Sequence, residues 1–461
     1  MRGRCILIDM TKQQRLVLVV SILASFVAFL DGSVVNVALP AISRDLGGGL
    51  AAQQWIVDGY MLTLGALILL AGSLSDLFGR KRILTAGLLG FGVTSLLCAA
   101  APNSAFLVVA RMLQGLAGAL LVPSSLAIII STFSGKAQGK AIGTWTAWTG
   151  ISFIIGPLLG GILVDSLSWR WIFAINVLPI AITLWLLRGV DKPEMTNEKV
   201  KIDTPGALLC TLGLGAPVYA LIMQPKYGWT DVMVWLPLIG GIILFAVFIW
   251  WERRNAKPML PLSIFQRRNF SVGNVATAAI YGGLAIGTFI ISIYLQQVSG
   301  YSALRAGLAL LPVTIVMFIL SPRFGALAGK FGPRLFMALG PLLAAGGFLL
   351  MLMMHPGANY WTHLLPGILL FALGLSCTVS PLTAAILGDV DPRYAGVGSA
   401  VNNAISRVAG LITIATIGII TGTQLQTDGF HRTLIAVTVL MLIGSAISAI
   451  GIQNHQPAPE A

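Results

Sequence analysis

The chain alternates apolar runs long enough to cross a bilayer with connections mostly too short to hold a domain, and this alternation restricts the fold before any single residue is considered. A transmembrane helix needs about 20 mostly apolar residues. Windows of that length place spans near 16–40, 54–73, 83–101, 105–130, 141–164, 171–187, 205–223, 232–251, 270–295, 306–328, 335–354, 361–387, 396–421 and 433–452, fourteen in all. Inside lipid every backbone N–H and C=O has to be bonded within its own segment, so runs of this length read as helices and the chain as an all-α polytopic membrane protein. With 56% apolar and only 10% charged residues, little is left for a soluble domain.

The formal charge of +13 would suggest nucleic acid in a soluble protein, but here the bases first have to be placed relative to the spans. Of 29 Lys and Arg, 22 fall at the loops on the side of the N-terminus, five fall on the other side, and Arg111 and Arg407 lie within spans. Bases favour cytoplasmic loops, so both termini are expected in the cytoplasm and no nucleic-acid partner is implied. The first run, 16–40, is too long for a signal-peptide core and reads as a retained span. Four cysteines form no CxxC and no Cys/His cluster, so neither a disulfide framework nor a metal site is expected.

An internal repeat organises these spans. "GSLSDLFGRKR" at 72–82 is echoed by "GALAGKFGPRL" at 325–335, with Gly72 matched to Gly325 and Gly79 to Gly332, and "LLVPSSLAIII" at 120–130 is echoed by "CTVSPLTAAIL" at 377–387. Two six-helix halves, 1–187 and 269–461, account for the echoes, with two further helices carried by a central segment, 188–268. Duplicated bundles of this kind are the signature of a rocking transporter.

The motifs resemble those of the major facilitator superfamily, and specifically its fourteen-helix drug:proton antiporter branch. "GSLSDLFGRKR" is similar to the first intracellular signature of that family, "FLDGSVVNVALP" from Phe29 to the first-helix signature, "LVVARMLQGLAGA" from Leu107 to the fourth-helix signature, and "IIGPLLGG" from Ile154 to the fifth-helix antiporter signature. Ser152 stands where the fifth-helix signature usually has a glycine, and Gly329 replaces Asp76 in the second loop copy. The resemblance implies two six-helix bundles plus two central helices, working as a proton-driven multidrug exporter of the kind that confers antibiotic resistance. It implies no cofactor and no enzymatic activity, with the proton gradient as energy source and small hydrophobic or cationic compounds as substrates. It further implies a monomer in the bacterial inner or plasma membrane.

Charged and polar residues inside spans are the candidate chemistry, because an ionised aspartate at a helix centre costs about 2.5–3.5 kcal/mol on insertion scales. Asp31 in the first span and Asp58 in the second read as proton-coupling carboxylates, or else as a structural hydrogen bond and a solvated or capping acid. Arg111 in the fourth span demands a partner and lies at a depth compatible with both, so one cluster of three is expected, with Gln114 one turn on as a weaker member. Arg407, near Asn402 and Asn403, is the other intramembrane charge. It pairs across a cavity with those acids, binds an anionic substrate group, or bonds backbone carbonyls.

The loop residues Gly72, Asp76, Gly79 and Arg80 read as a gate whose acid latches a helix end, and the bases alternatively serve topology alone. Gly156, Pro157, Gly160 and Gly161 permit close packing and a bend that shape the seal between halves. Gln114, Trp145, Phe153, Tyr281, Tyr294, Asn403 and Arg407 are the substrate-cavity candidates, the aromatics by stacking on flat lipophilic cations. Trp148 and Phe289 belong to the same aromatic set, while Trp169 and Trp171 read as interfacial anchors.

The sequence contains no phosphate-binding loop, which argues against direct ATP drive. An exporter of a lipid or amphipathic metabolite fits the same greasy interior, and a nontransporting sensor or scaffold is the alternative from a different class. The latter would not need Asp31 and Arg111 together.

Overall fold

The computed structural model describes residues 10–191, 203–255, 258–390, 395–422 and 424–454. Among them the regular structure is helical throughout, and the helices are α1 (Lys12–Leu46), α2 (Gly49–Phe78), α3 (Arg80–Ala99), α4 (Ser104–Thr132), α5 (Gly135–Gly150), α6 (Ser152–Ser166), α7 (Trp171–Ala174), α8 (Val177–Leu187), α9 (Thr204–Tyr227), α10 (Val232–Arg254), α11 (Arg268–Gln297), α12 (Ala303–Phe331), α13 (Pro333–Leu350), α14 (Leu365–Gly388), α15 (Ala395–Ala415), α16 (Ile417–Thr421) and α17 (Thr427–Gly451). Among the described residues, twelve helical segments are long and apolar enough to cross a membrane. Outside that count stand α2, which is 30 residues long, and the shorter apolar stretch Trp171–Leu187.

Several runs that read as single spans are divided. The run at 141–164 breaks at Ile151 between α5 and α6, six residues before Pro157, which has no N–H to bond back along the helix. The run at 171–187 breaks at Ile175 and Asn176, with Pro179 in the first turn of α8, where proline is tolerated. The run at 396–421 breaks at Thr416, and Gln54 of α2 donates its amide to the carbonyls around that break, Ile414 O at 2.7 Å and Ala415 O at 3.1 Å.

Helices α1 to α8 pack on one another, as do α11 to α17, and α9 of the hairpin α9–α10 lies against α2, α15 and α16. The two repeated loops take the same shape: Gly79 (φ 91°) turns the chain from α2 into α3, and Gly332 (φ 84°) turns it from α12 into α13. Both use a backbone region that suits glycine. The bases that follow are bound to helix-end carbonyls. Lys81 donates to Val190 O at 2.5 Å beyond α8, and Arg334 donates to Ala449 O at 2.7 Å in α17. Arg80 donates to Ala127 O of α4 at 3.0 Å.

The two bundles meet closely at one end. There α6 lies on both α1 and α12, because its glycines leave no side chain in the way. A Cβ at Gly160 would fall 3.2 Å from Val34 O, and one at Gly161 would fall 2.8 Å from Leu304 N. Gly307 of α12 reciprocates against Pro157, 3.0 Å from its carbonyl carbon. Asp165, at the end of α6, accepts hydrogen bonds from the first N–H groups of α12, Ala303 at 3.1 Å and Leu304 at 2.9 Å, a negative charge at a helix N-terminus. Ser292 and Gln296 of α11 donate to Asn36 O and Val37 O of α1 at the same end. The hydrogen bonds between bundles among the described residues all belong to this end, called here the Asp165 end.

Two expectations follow. Gly161→Leu forces side-chain atoms into the Leu304 backbone, and overpacking of this kind costs about 1–3 kcal/mol. The variant is expected to open the Asp165 end, read as faster labelling of a cysteine at Ser302 by an impermeant thiol reagent than in the parent. Asp203 caps α9, its carboxylate accepting from Gly206 N at 2.9 Å, Trp251 Nε1 at 2.9 Å and Asn255 Nδ2 at 2.7 Å. Burial pushes this carboxyl up, but those donors outweigh it and hold it below its ordinary 3.8. A depressed folded value adds stability that is present above the ordinary value and lost as pH falls through the folded one. The Asp203→Ala variant is therefore expected to melt below the parent by about 1 kcal/mol at neutral pH. That gap shrinks once the pH drops beneath about 4, a trend that a pH series of thermal unfolding in detergent measures.

Candidate functional site

The break between α7 and α8 and the crowding of small residues on α3 and α4 bring five helices around one buried ion pair. Arg111 Nη1 of α4 donates to Asp31 Oδ2 of α1 at 2.5 Å, and both side chains are almost completely buried. The other oxygen, Asp31 Oδ1, accepts from Gln114 Nε2 at 3.0 Å and from Asn176 Nδ2 at 3.0 Å. Gln114 uses its second amide hydrogen on Ser95 Oγ at 2.9 Å and accepts from Arg111 Nη1 at 2.6 Å. Arg111 Nε donates to Ile56 O at 3.1 Å, and its Cζ lies 4.2 Å from the Tyr60 ring centroid. Charge-assisted bonds of this sort are about twice as strong as neutral ones. Ion pairing and cation–π contact therefore satisfy a guanidinium that has no water to turn to.

Asp58 does not join this network, which corrects the expected cluster of three. The reason is helical phase. Arg111 reaches the carbonyl of Ile56, whereas Asp58 shares a face of α2 with Gln54, Met61 and Gly65, spaced by three and four residues. That face meets α15: Gln54 bonds Ile414 and Ala415, Met61 Sδ lies 3.9 Å from a Cβ placed at Gly410, and a Cβ at Gly65 would lie 3.4 Å from Arg407 Cβ. Asp58 is thus set in the seam between the bundles, fully buried, and neither carboxyl oxygen has a donor among the described residues.

Arg407 is half-buried on α15 and makes no ion pair and no hydrogen bond among the described residues. One turn away along α15, Asn403 lines a cavity of about 120 Å³ with Tyr281, Ser399, Asn402 and Ser406. Asn402 is itself tied to Asn274 Oδ1 at 3.0 Å and Thr277 Oγ1 at 2.9 Å.

Gln114 belongs to the ion-pair network, as its spacing from Arg111 implied, and is fully buried there. Two aromatic candidates are placed differently from the expectation. Tyr294 is buried in the α11–α17 contact, stacked on Phe430 with ring centroids 3.9 Å apart, because its flat ring fills the space between those helices. Phe289 is likewise core, and Trp148 is exposed. Trp145 donates to Ser25 Oγ at 3.1 Å between α5 and α1. Trp169 is buried, its Nε1 bonded to Asp45 at 2.9 Å, so only Trp171 stands exposed as an anchor would. Gly72, Asp76 and Phe153 lie outside the described side chains. Asn176, Ser95 and Asp165 escaped the sequence reading. The one usable signal was Asn176, an amide in an otherwise apolar run close before Pro179.

Residues 21–414 match the family model described as Major Facilitator Superfamily. The chain belongs to that superfamily. It is accordingly a multi-pass membrane transporter and not an enzyme. Among its relatives in the superfamily, a puromycin resistance protein from Streptomyces alboniger is 36% identical, with 92% of this chain and 85% of the relative covered. A tetracenomycin C resistance and export protein from Streptomyces glaucescens is 33% identical over 85% of this chain and 73% of its own. A methylenomycin A resistance protein from Bacillus subtilis is 32% identical, with 88% and 87% covered. Solved structures show the same fold: the peptide transporter POT in complex with sulfate superposes with a TM-score of 0.70 at 19% identity, covering 97% of this chain and 95% of that one. The inward-open xylose transporter XylE from E. coli gives 0.65 at 13% identity, covering 95% and 96%.

Leaving one member of a buried ion pair alone costs about 3–5 kcal/mol, whereas replacing both by apolar groups can be neutral. Arg111→Met is therefore expected to lower stability by about that amount, and Asp31→Leu added to it to recover much of the loss. Thermal unfolding of the purified single and double variants measures both.

Proposed function

We propose that this protein is a proton-coupled antiporter that exports small hydrophobic compounds, drugs and antibiotics among them, by alternating access between the two bundles. Fourteen spans are assigned, the twelve long segments with α2 and Trp171–Leu187, and both termini are placed in the cytoplasm, as the distribution of Lys and Arg favours. The moving units are 1–187 and 269–461, with 188–268 carrying the central hairpin. On this assignment the Asp165 end faces outward and is sealed, and the protein is open toward the cytoplasm. The proton gradient is the energy source and no cofactor takes part.

The observation that carries the coupling is Asp58: a buried carboxyl without a donor, in the seam that must part when the outer side opens. Sealing an ionised carboxylate there is costly, so closing the outer seam and binding a proton go together. Opening the seam hydrates the group and favours its ionised form, and the two accessibility states thereby differ in proton occupancy. Asp31, whose oxygens are fully engaged, has the different role of fixing the helices that carry the seam. The antibiotic resistance proteins among the relatives support the choice of cargo.

The experiment is gradient-driven transport of a hydrophobic drug in proteoliposomes. The parent is expected to accumulate drug only with an imposed pH gradient, and Asp58→Asn to retain downhill exchange while losing accumulation against a gradient. Gradient-independent accumulation by the parent removes the antiport reading, and unchanged accumulation in Asp58→Asn removes the role given to Asp58.

A further inference from the structure

The charges at the centre of the molecule do not balance, and the imbalance bears on what the cavity accepts. The described C-terminal bundle holds two acids, Asp389 at the end of α14 and Asp428 in the first turn of α17, both at helix ends. In the other bundle Asp31 is committed to Arg111, Asp45 is paired with Arg170, and Asp165 caps α12. Asp58 lies seven residues from Gly65, the residue that Arg407 touches, which is about 10 Å along α2 at 1.5 Å per residue. Arg407 thus keeps a permanent positive charge with no carboxylate bound to it among the described residues.

A half-buried guanidinium at membrane depth is costly unless something completes its hydrogen bonds. Of the three fates open to Arg407 from the sequence, pairing with an acid and bonding to carbonyls are both missing among the described residues. Beside it lies a cavity whose walls suit an amphiphile: Tyr281, Asn403 and Ser406 offer polar groups, and Ile386 and Leu387 offer apolar surface. Guanidinium presents a planar fork of donors that matches carboxylate and phosphate oxygens.

We propose that Arg407 and the adjoining cavity form a site for an anionic amphiphile, a carboxylate or phosphate group on a lipophilic body, in place of the lipophilic cations that the family resemblance implies. The assignment deepens the export reading and rests on it for the purpose of the site. A lipophilic cation brought to the same place meets a like charge that has no carboxylate bound to it among the described residues.

The test is equilibrium binding to the detergent-purified protein without any gradient, using a dansyl-tagged fatty acid, the fatty amine of equal chain length and a tagged phosphatidylglycerol. The fatty acid is expected to bind at least about tenfold more tightly than the amine, the worth of one hydrogen bond to a charged group. Arg407→Gln should abolish that preference and Arg407→Lys should keep part of it, with size-exclusion profiles confirming folded protein. Comparable binding of phosphatidylglycerol supports the anion site and identifies lipid headgroups as occupants, while binding of the fatty acid alone supports it and identifies free amphiphilic acids. An amine bound as tightly as the acid by the parent overturns the proposal without recourse to any variant, and so does an acid preference that survives in Arg407→Gln. Absence of gradient-driven transport leaves these binding results untouched and bears only on the export reading.

Discussion

A single ion pair in a place without water dictates how the N-terminal bundle is put together. Asp31 and Arg111 sit at a depth where neither tolerates solitude, so every neighbour is chosen to donate or accept: Gln114, Asn176 and Ser95 through side chains, Ile56 through its carbonyl, and Tyr60 through its ring. Pair and neighbours come from five helices, and the network fixes how α1, α2, α3, α4 and the start of α8 are rotated against one another. Apolar residues of equal volume would hold the bundle together as firmly, so the pair specifies an arrangement more than it adds stability.

That fixed arrangement aims a second face of α2 outward at α15, and there the consequences for transport gather. Asp58 and Arg407 stand on the same seam with opposite charge types and no ion pair. At the Asp165 end the seam is closed by backbone contact, since Gly161 and Gly307 let α6 and α12 approach to van der Waals distance. Beside this joint of glycines and a helix cap, apolar side chains of α1 and α11 share one buried cluster, so parting the bundles exposes apolar surface as well as breaking the cap.

Much of this was legible from residue type alone, and the remainder was not for identifiable reasons. Asp31, Asp58, Arg111 and Arg407 declared themselves because charge within apolar runs is costly wherever it falls. Their partners did not, because partnership depends on helix rotation. Asp58 and Arg111 have matching depth, but the phase of α2 turns Asp58 toward the other bundle. Asn176 reaches Asp31 only because the helix breaks beside it, and periodicity does not place such a break. Tyr294 and Phe289 have the composition of a binding site and the position of a core. Gly79 and Gly332 were readable as a repeat, and the shared positive φ is the physical content of that echo.

The bases after those two glycines carry the symmetry further. Lys81 reaches the carbonyls just beyond α8, and Arg334, at the same repeat offset, reaches those of α17. In each bundle the third span is thereby buckled to the last, and the helices form a closed hoop in which a push on one member is shared by all. Two such hoops tilt as wholes and do not shear internally. The covalent strap between them runs through α9 and α10, of which α9 leans on α2 and α15, one member of each hoop, and α10 packs on α9. A tilt that parts those two helices has to drag or flex the strap. The added hairpin is therefore a spring across the hinge line, and its stiffness helps to set how readily the molecule rocks.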